Sequence, residues 1–505
     1  MSIYDNYDLI LFNQKIDHLM DIVNQKKLDV CEPTKTEIDA IYLIVLTFIK
    51  TNKRKIYGSV ALDYLLGEKK ATENIYSKYK IPDIDFYTPD PIGDLIKLCN
   101  ELNEKEYKYV RGREAIHKES YSLYVNNRLY CNLTYMPKNI YNKTPFQNID
   151  DIIIVQPQFL VIDYLRIIND PLVSYWRLKD KNAFERYFLL QKYYPFPYTN
   201  KGFDITIIDE NKPILENILE FSKNRNSLIH SGGLFIYNYY IRASKVNHTN
   251  IKITDPIFYE FVSTNYKKDS LELINDLKKT YPDIVIKEYF PFFQYIGYSV
   301  AIYYNNDLVC IISDNNKKCV PYKTVLNNAT DKYYIGSYNY VLMTCMINLL
   351  KYKINNDTKM KNIYYIMTSH IITMRKKYLK SNKQNIFDKS LFEDFVLDLQ
   401  GSTIPPEKER QLIGEVRKKR NKPYFFTYEP IKKDVKEDGE NDVEIKSELE
   451  IKYIFLNTSG NLISNSKKSI LFGEEKNPED VIEDVIEDVD EVVDILDAYT
   501  EPHLD

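Results

Sequence analysis

The chain switches repeatedly between a helical and a two-residue hydrophobic rhythm, and the switches outline its elements. Residues 36–50, TEIDAIYLIVLTFIK, lack breakers and read as a mostly buried helix with Thr36 as its N-cap. KIYGSVALDYLLG (55–67) reads as a strand end, a Gly-Ser turn and a helix stopping at Gly67. KIPDIDFYTPDP (80–91) reads as a strand, after which Pro91 opens a helix to about Lys105. Two alternating stretches, SYSLYV (120–125) and RLYCNLTYM (128–136), flank Asn126-Asn127, a residue pair that tolerates the positive φ of a tight hairpin. A short strand, DIIIV (151–155), is followed by a helix from Pro157 to about Asn169 that Asp170-Pro171 breaks.

The cluster YYPFPYTNKG (193–202) marks a domain boundary. Beyond it come a strand at 285–289 and a hairpin, YSVAIYYNNDLVCIISD (298–314), again turning at Asn-Asn. Helices are expected at about 337–353, 358–380 and 391–399. The division is then an N-terminal helical region at 1–50, a first mixed domain at 51–195, a second at 196–430, and a charge-dense tail at 431–505.

Charge changes this picture only at the C-terminal end. From Glu474 to Asp505 there are 14 acidic side chains and one lysine, a local balance of −13. The other 473 residues carry 67 basic and 58 acidic side chains, a balance of +9, mild enough to admit a polyanionic partner without requiring one. The tail is expected to be mostly disordered. Six scattered cysteines form no CxxC pair, which argues against a disulfide framework or zinc site. The longest apolar run, residues 40–49, is about half of a membrane span, and no signal-peptide pattern opens the chain, so an intracellular protein without membrane attachment is expected.

Candidate chemistry begins at Asp83 and Asp85. Strand alternation points both carboxylates to one face, roughly 7 Å apart along the strand, with Ile84 and Phe86 on the other. Such a pair can share two divalent cations, and hard oxygen donors select Mg²⁺ or Mn²⁺. A solvated strand end would look the same. Gly58 lets a backbone approach a phosphate, and Ser59 adds a hydroxyl beside a helix N-terminus, although a plain helix cap also fits. Gly336-Ser337 enters another apolar helix without an Asp-x-Asp strand after it, so either such caps are common here or the second domain is a degenerate copy of the first.

Read in order, YGSVALDYLL (57–66), DIDFY (83–87) and VIDYLRIINDPLVSYWRLKDKNAFER (161–186) resemble the polymerase β-type nucleotidyltransferases. Within that superfamily the chain is most similar to the poly(A) polymerase catalytic subunits of poxviruses and other large cytoplasmic DNA viruses. The resemblance covers about 55–190 well and the second domain loosely. It implies an α+β fold: a nucleotidyltransferase domain built on a mixed sheet flanked by helices, then a second α/β domain that can be a degenerate nucleotidyltransferase copy, then the acidic tail.

The resemblance further implies that Asp83 and Asp85 bind the metals, that Gly58 and Ser59 hold the triphosphate of ATP, and that Arg177 and Lys181 reach it. Two departures stand out. The Ser59–Asp83 interval is longer than is usual in the superfamily, and the third carboxylate position falls at Asn132, a neutral residue. The basic runs containing Arg375, Lys376 and Lys377, and Arg417, Lys418, Lys419 and Arg420, are candidate RNA contacts. The implied activity is template-independent addition of AMP to the RNA 3′ end in a viral factory or virion, aided by a processivity subunit or a homodimer. A uridylyl- or CCA-adding enzyme, or a catalytically lapsed RNA-binding subunit, would share these features.

Overall fold

The computed structural model describes residues 3–73, 75–76, 81–178, 181–205, 208–245, 251–326 and 330–430, with no side chains described for 175–182. The acidic tail therefore lies outside the described residues. Two compact units emerge: one of residues up to 141, 145–160 and 410–430, the other of 142–144 and 161–409. The last described segment thus groups with the first unit, whereas the sequence pattern assigns it to the second domain.

The first unit opens with α1 (Asn6–Val30) and α2 (Lys35–Thr51). Thr34, rather than Thr36, caps α2 by accepting a bond from the Glu37 N–H. Then follow β1 (Lys55–Tyr57), α3 (Gly58–Glu68), β2 (Ile84–Thr88), α4 (Pro91–Glu104), β3 (Arg111–Glu114), β4 (Ser120–Val125) and β5 (Arg128–Tyr135). The chain continues through α5 (Lys138–Lys143), β6 (Phe146–Ile149), β7 (Ile152–Val155) and α6 (Pro157–Asn169). The β4–β5 hairpin turns at Asn126-Asn127, both at positive φ, as the Asn pair predicts. Ile84, Phe86, Leu123 and Leu133 form the buried side of the sheet, where α2 and α4 pack. α1 is different: of its residues only Leu28 is buried, and Leu9, Ile10, Phe12, Leu19 and Ile22 are exposed.

The second unit contains α7 (Pro171–Leu178), α8 (Lys181–Tyr193), α9 (Lys212–Ser222), β8 (Leu228–Gly232), α10 (Gly233–Ser244), β9 (Tyr259–Ser263), α11 (Tyr266–Thr280) and β10 (Val285–Tyr289). β11 (Ser299–Tyr304), β12 (Asp307–Asp314), β13 (Val320–Leu326), β14 (Lys332–Gly336), α12 (Tyr338–Ile354), α13 (Thr358–Ser381) and β15 (Leu399–Gln400) complete it. Residues 391–398 form no helix, in contrast to the expected one. Finally α14 (Pro406–Lys419) leads to β16 (Thr427–Tyr428), which pairs with β3 at the edge of the first sheet.

The two sheets share one topology. Their strand orders are β16-β3-β4-β5-β2-β1-β7-β6 and β10-β11-β12-β9-β8-β14-β13-β15. Adding seven to each of β1–β7 converts the first order into the second, edge strands aside. Every pairing keeps its direction: β1/β2 and β8/β9 are antiparallel, while β2/β5 and β9/β12 are parallel. The second unit is therefore a structural copy of the first. The copy of Gly58 is not Gly336, which ends β14, but Gly233: both sit at φ +74° where a strand turns into a helix. Against the other side of the second sheet, α9 and α11 bury Leu215, Ile218, Leu273 and Leu277 with Phe261, Ile302 and Ile312.

Candidate active site

In the first sheet Tyr57 lies opposite Asp85 on the antiparallel side, and Asn132 lies opposite Asp85 on the parallel side. Ser122 pairs in turn with Asn132. The pleat therefore brings Asp85, Asn132 and Ser122 to one face. Asp83, one residue before β2, joins them: Asn132 Nδ2 donates to Asp83 Oδ2 at 3.0 Å and to Asp85 Oδ1 at 2.9 Å. On its other side Asn132 Oδ1 accepts from Ser122 Oγ at 2.7 Å. The position expected to carry a third carboxylate is thus filled by Asn132, whose single amide draws the two aspartates together. Both aspartates are half-buried, so they keep contact with water.

Gly58 has two reasons to be glycine. Its φ of +74° is left-handed, and a Cβ there would come within 2.8 Å of Asp85 Oδ2. The helix start thereby lies directly against Asp85. Ser59 is inside the first turn of α3, and the N-cap, Tyr57, makes no side-chain cap. Ser337 behaves otherwise: it is the N-cap of α12 and accepts from the Tyr340 N–H at 3.4 Å. The two Gly-Ser pairs therefore do different things, and only Gly336-Ser337 is an ordinary cap.

Nearby groups hold the face in place. Tyr57 OH is 2.7 Å from Thr134 Oγ1, which is 3.0 Å from Ser120 Oγ, and the Tyr57 ring stacks on Tyr87 at 4.0 Å. Lys55 donates to the Tyr141 carbonyl, and burial pulls its ammonium down to about 8. Sequence reasoning missed a clasp behind the site. Asp94, fully buried on α4, accepts from Thr88 Oγ1 at 2.5 Å and meets two nitrogens of Arg54 at 2.7 and 2.8 Å. The second unit repeats it with Ser263, Asp269 and Arg225. The Thr88–Asp94 and Ser263–Asp269 intervals are equal, and that spacing was the available signal.

The remaining candidates separate. Arg177 lies in the last turn of α7 and Lys181 begins α8, and their side chains lie outside the described residues. Arg375 is ion-paired with Asp394 at 2.6 Å and Arg417 with Glu114 at 2.7 Å, whereas Lys376, Lys377, Lys418, Lys419 and Arg420 are exposed. Among the described residues no group of three or more His, Cys, Asp or Glu side chains gathers as a metal cluster. Also among them, no helix is long and apolar enough to cross a membrane.

A mixed sheet that sets a glycine-led helix start against a converging acidic pair defines a nucleotidyltransferase fold. Residues 43–174 match the family model "Poly(A) polymerase catalytic subunit", and residues 217–472 match "APMV, Putative poly(A) polymerase, catalytic subunit, C-terminal". The chain belongs to the poly(A) polymerase catalytic subunit family. A protein of Acanthamoeba polyphaga mimivirus named "Putative poly(A) polymerase catalytic subunit" is 32% identical, covering 94% of this chain and 85% of its own length. A like-named protein of African swine fever virus (isolate Pig/Kenya/KEN-50/1950) is 27% identical over 52% of this chain, which spans 53% of that relative. The crystal structure of the Megavirus polyadenylate synthase matches with a TM-score of 0.78 and 32% identity, covering 85% of this chain and 87% of that one. The chain is accordingly a viral-type nucleotidyltransferase, the catalytic subunit of a poly(A) polymerase, as the sequence motifs imply.

Proposed function

We propose that the chain adds AMP units from ATP to the 3′ end of viral mRNA at the Asp83/Asp85 face. The observation that carries this reading is the convergence of both carboxylates on Asn132, with Asp85 set against Gly58 at the start of α3. The RNA 3′ oxygen bonds to the α-phosphorus, the bond to the bridging oxygen breaks, and pyrophosphate leaves. The first-turn amides of α3 and the Ser59 hydroxyl hold the triphosphate, and the adjacent acidic pair fixes where the α-phosphate lies.

The donor set fits Mg²⁺ or Mn²⁺. Asp83 and Asp85 supply hard oxygens, and a half-turn of the Asn132 amide presents its carbonyl to the same space. Ser122 tolerates either amide orientation, because a hydroxyl both donates and accepts. When bound, the ions would lower the pKa of the 3′ hydroxyl and neutralise charge on the departing pyrophosphate.

The test is extension of an RNA primer with each of the four NTPs. ATP-selective tailing supports the proposal; UTP or CTP preference, or no pyrophosphate release, refutes it. Ser59→Ala is expected to raise KM for ATP about tenfold through loss of one hydrogen bond to a charged group, with RNA binding unchanged. Asn132→Asp should tighten Mg²⁺ binding about tenfold or more while lowering the metal-free melting temperature, because three carboxylates then repel one another. Calorimetric titration and melting with and without Mg²⁺ check both.

The exposed Lys376, Lys377, Lys418, Lys419 and Arg420 are the proposed RNA contacts. The exposed apolar residues of α1 offer a surface to a second polypeptide, a processivity subunit or another copy. Large DNA virus relatives favour work in a viral factory or virion.

A further inference from the structure

The shared topology allows residue-by-residue comparison of the two sheets at the catalytic face. Gly232 lies opposite Glu260 as Tyr57 lies opposite Asp85, so Glu260 occupies the place of Asp85 and Phe258 that of Asp83. Across the parallel pairing Glu260 faces Ile311 where Asp85 faces Asn132, and Ala301 pairs with Ile311 where Ser122 pairs with Asn132. Three of the four polar groups have become apolar. The fourth, Glu260, is buried and accepts from Asn348 at 2.6 Å and from Tyr364 OH at 2.6 Å. This face cannot assemble the catalytic donor set.

The space over it has nonetheless stayed open. A cavity of about 380 Å³ has Phe258, Ala301 and Ile311 on its floor. Tyr303 and Tyr352 line its walls, as do the cations Lys351 and Lys359. Its size is within the range of small-ligand sites. The two acids that also line it are engaged: Asp307 accepts from Asn211, and Asp357 caps α13 by accepting from the Met360 N–H. Tyr352 is already stacked on Tyr364 and carries the Lys351 ammonium over its ring, and Lys351 serves as counter-charge to the buried Glu260. Tyr303 can take a planar group, and the exposed Lys359 an anionic one.

We propose that this cavity is a second, metal-free nucleotide site, in which Tyr303 takes the base and Lys359 at the rim takes the phosphate that metal ions would otherwise neutralise. The nucleotide is either free AMP or ATP, or one residue of an RNA strand.

The experiment uses the full chain with Asp83→Ala and Asp85→Ala, in EDTA, so that the catalytic site is disabled. Failure here therefore leaves the proposed tailing reaction untouched. AMP and a short oligo(A) are titrated separately by calorimetry. Saturable binding of either is expected, weakened at least tenfold by Lys359→Glu on the rim and by Ala301→Phe, which fills the floor. Both variants must keep the parent's melting temperature to count, and Lys359→Glu, being exposed, keeps the test open if Ala301→Phe does not fold. Tighter binding of AMP than of oligo(A) identifies a free nucleotide as the source, and the reverse identifies RNA. Absence of binding, or binding that folded variants leave unchanged, overturns the proposal.

Discussion

Replacing Asp83 and Asp85 together by alanine is expected to abolish RNA tailing, lowering kcat by about a thousandfold or more. Removing both leaves the neutral amide of Asn132 in place of the acidic pair, and a neutral amide cannot hold a divalent cation against water. The fold should survive, because both side chains are half-buried and reach solvent. A primer-extension assay with ATP, paired with circular dichroism, separates lost chemistry from lost structure. A folded double variant that tails at the parent's rate would remove these residues from the reaction. Single variants should each lose most of the activity, since one amide bridges the pair and neither carboxylate stands alone.

The second large effect is on stability. Asp94→Ala should destabilise the first unit by about 3–5 kcal/mol, because it strands Arg54 beside an emptied, fully buried position. A drop of about 10 °C in melting temperature follows for a unit of this size. Thr88 loses its acceptor as well, and Thr88 is the last residue of β2. Asp269→Ala should cost less, since Arg225 is 3.5 Å from that carboxylate, is partly exposed, and has Glu272 at 2.5 Å as an alternative. Calorimetry of the two variants tests the ordering; an Asp94→Ala loss under 1 kcal/mol contradicts it.

The contrast between what the sequence revealed and what it concealed follows the range of the interactions. Gly58, Asp83 and Asp85 were legible because alternation along one strand and conformation at one turn are local. Asn132 was placed by the same alternation, and the register with β2 put it opposite Asp85. Both Asn-Asn hairpins were legible from the tolerance of asparagine for positive φ, seen at 126–127 and 305–306. The copy at Gly233 and Glu260 was not, because register rather than residue identity preserves it. Gly336-Ser337 looked more like the repeat and is only a cap. The roles of Arg375 and Arg417 were hidden for a similar reason: a basic run in sequence does not reveal which member turns inward to a distant acid.

The return of the chain to its first unit bears on its synthesis. Glu114, buried at the end of β3, waits for Arg417 and for the Phe426 N–H, more than 300 residues further on. Until that stretch leaves the ribosome, β3 has an open edge and a buried acid has no counterion. A vectorial folding pathway can complete the second unit, whose described residues all lie in between, before the first is closed. The first unit is begun first and finished last, so a ribosome stalled anywhere short of β16 carries that unit incomplete.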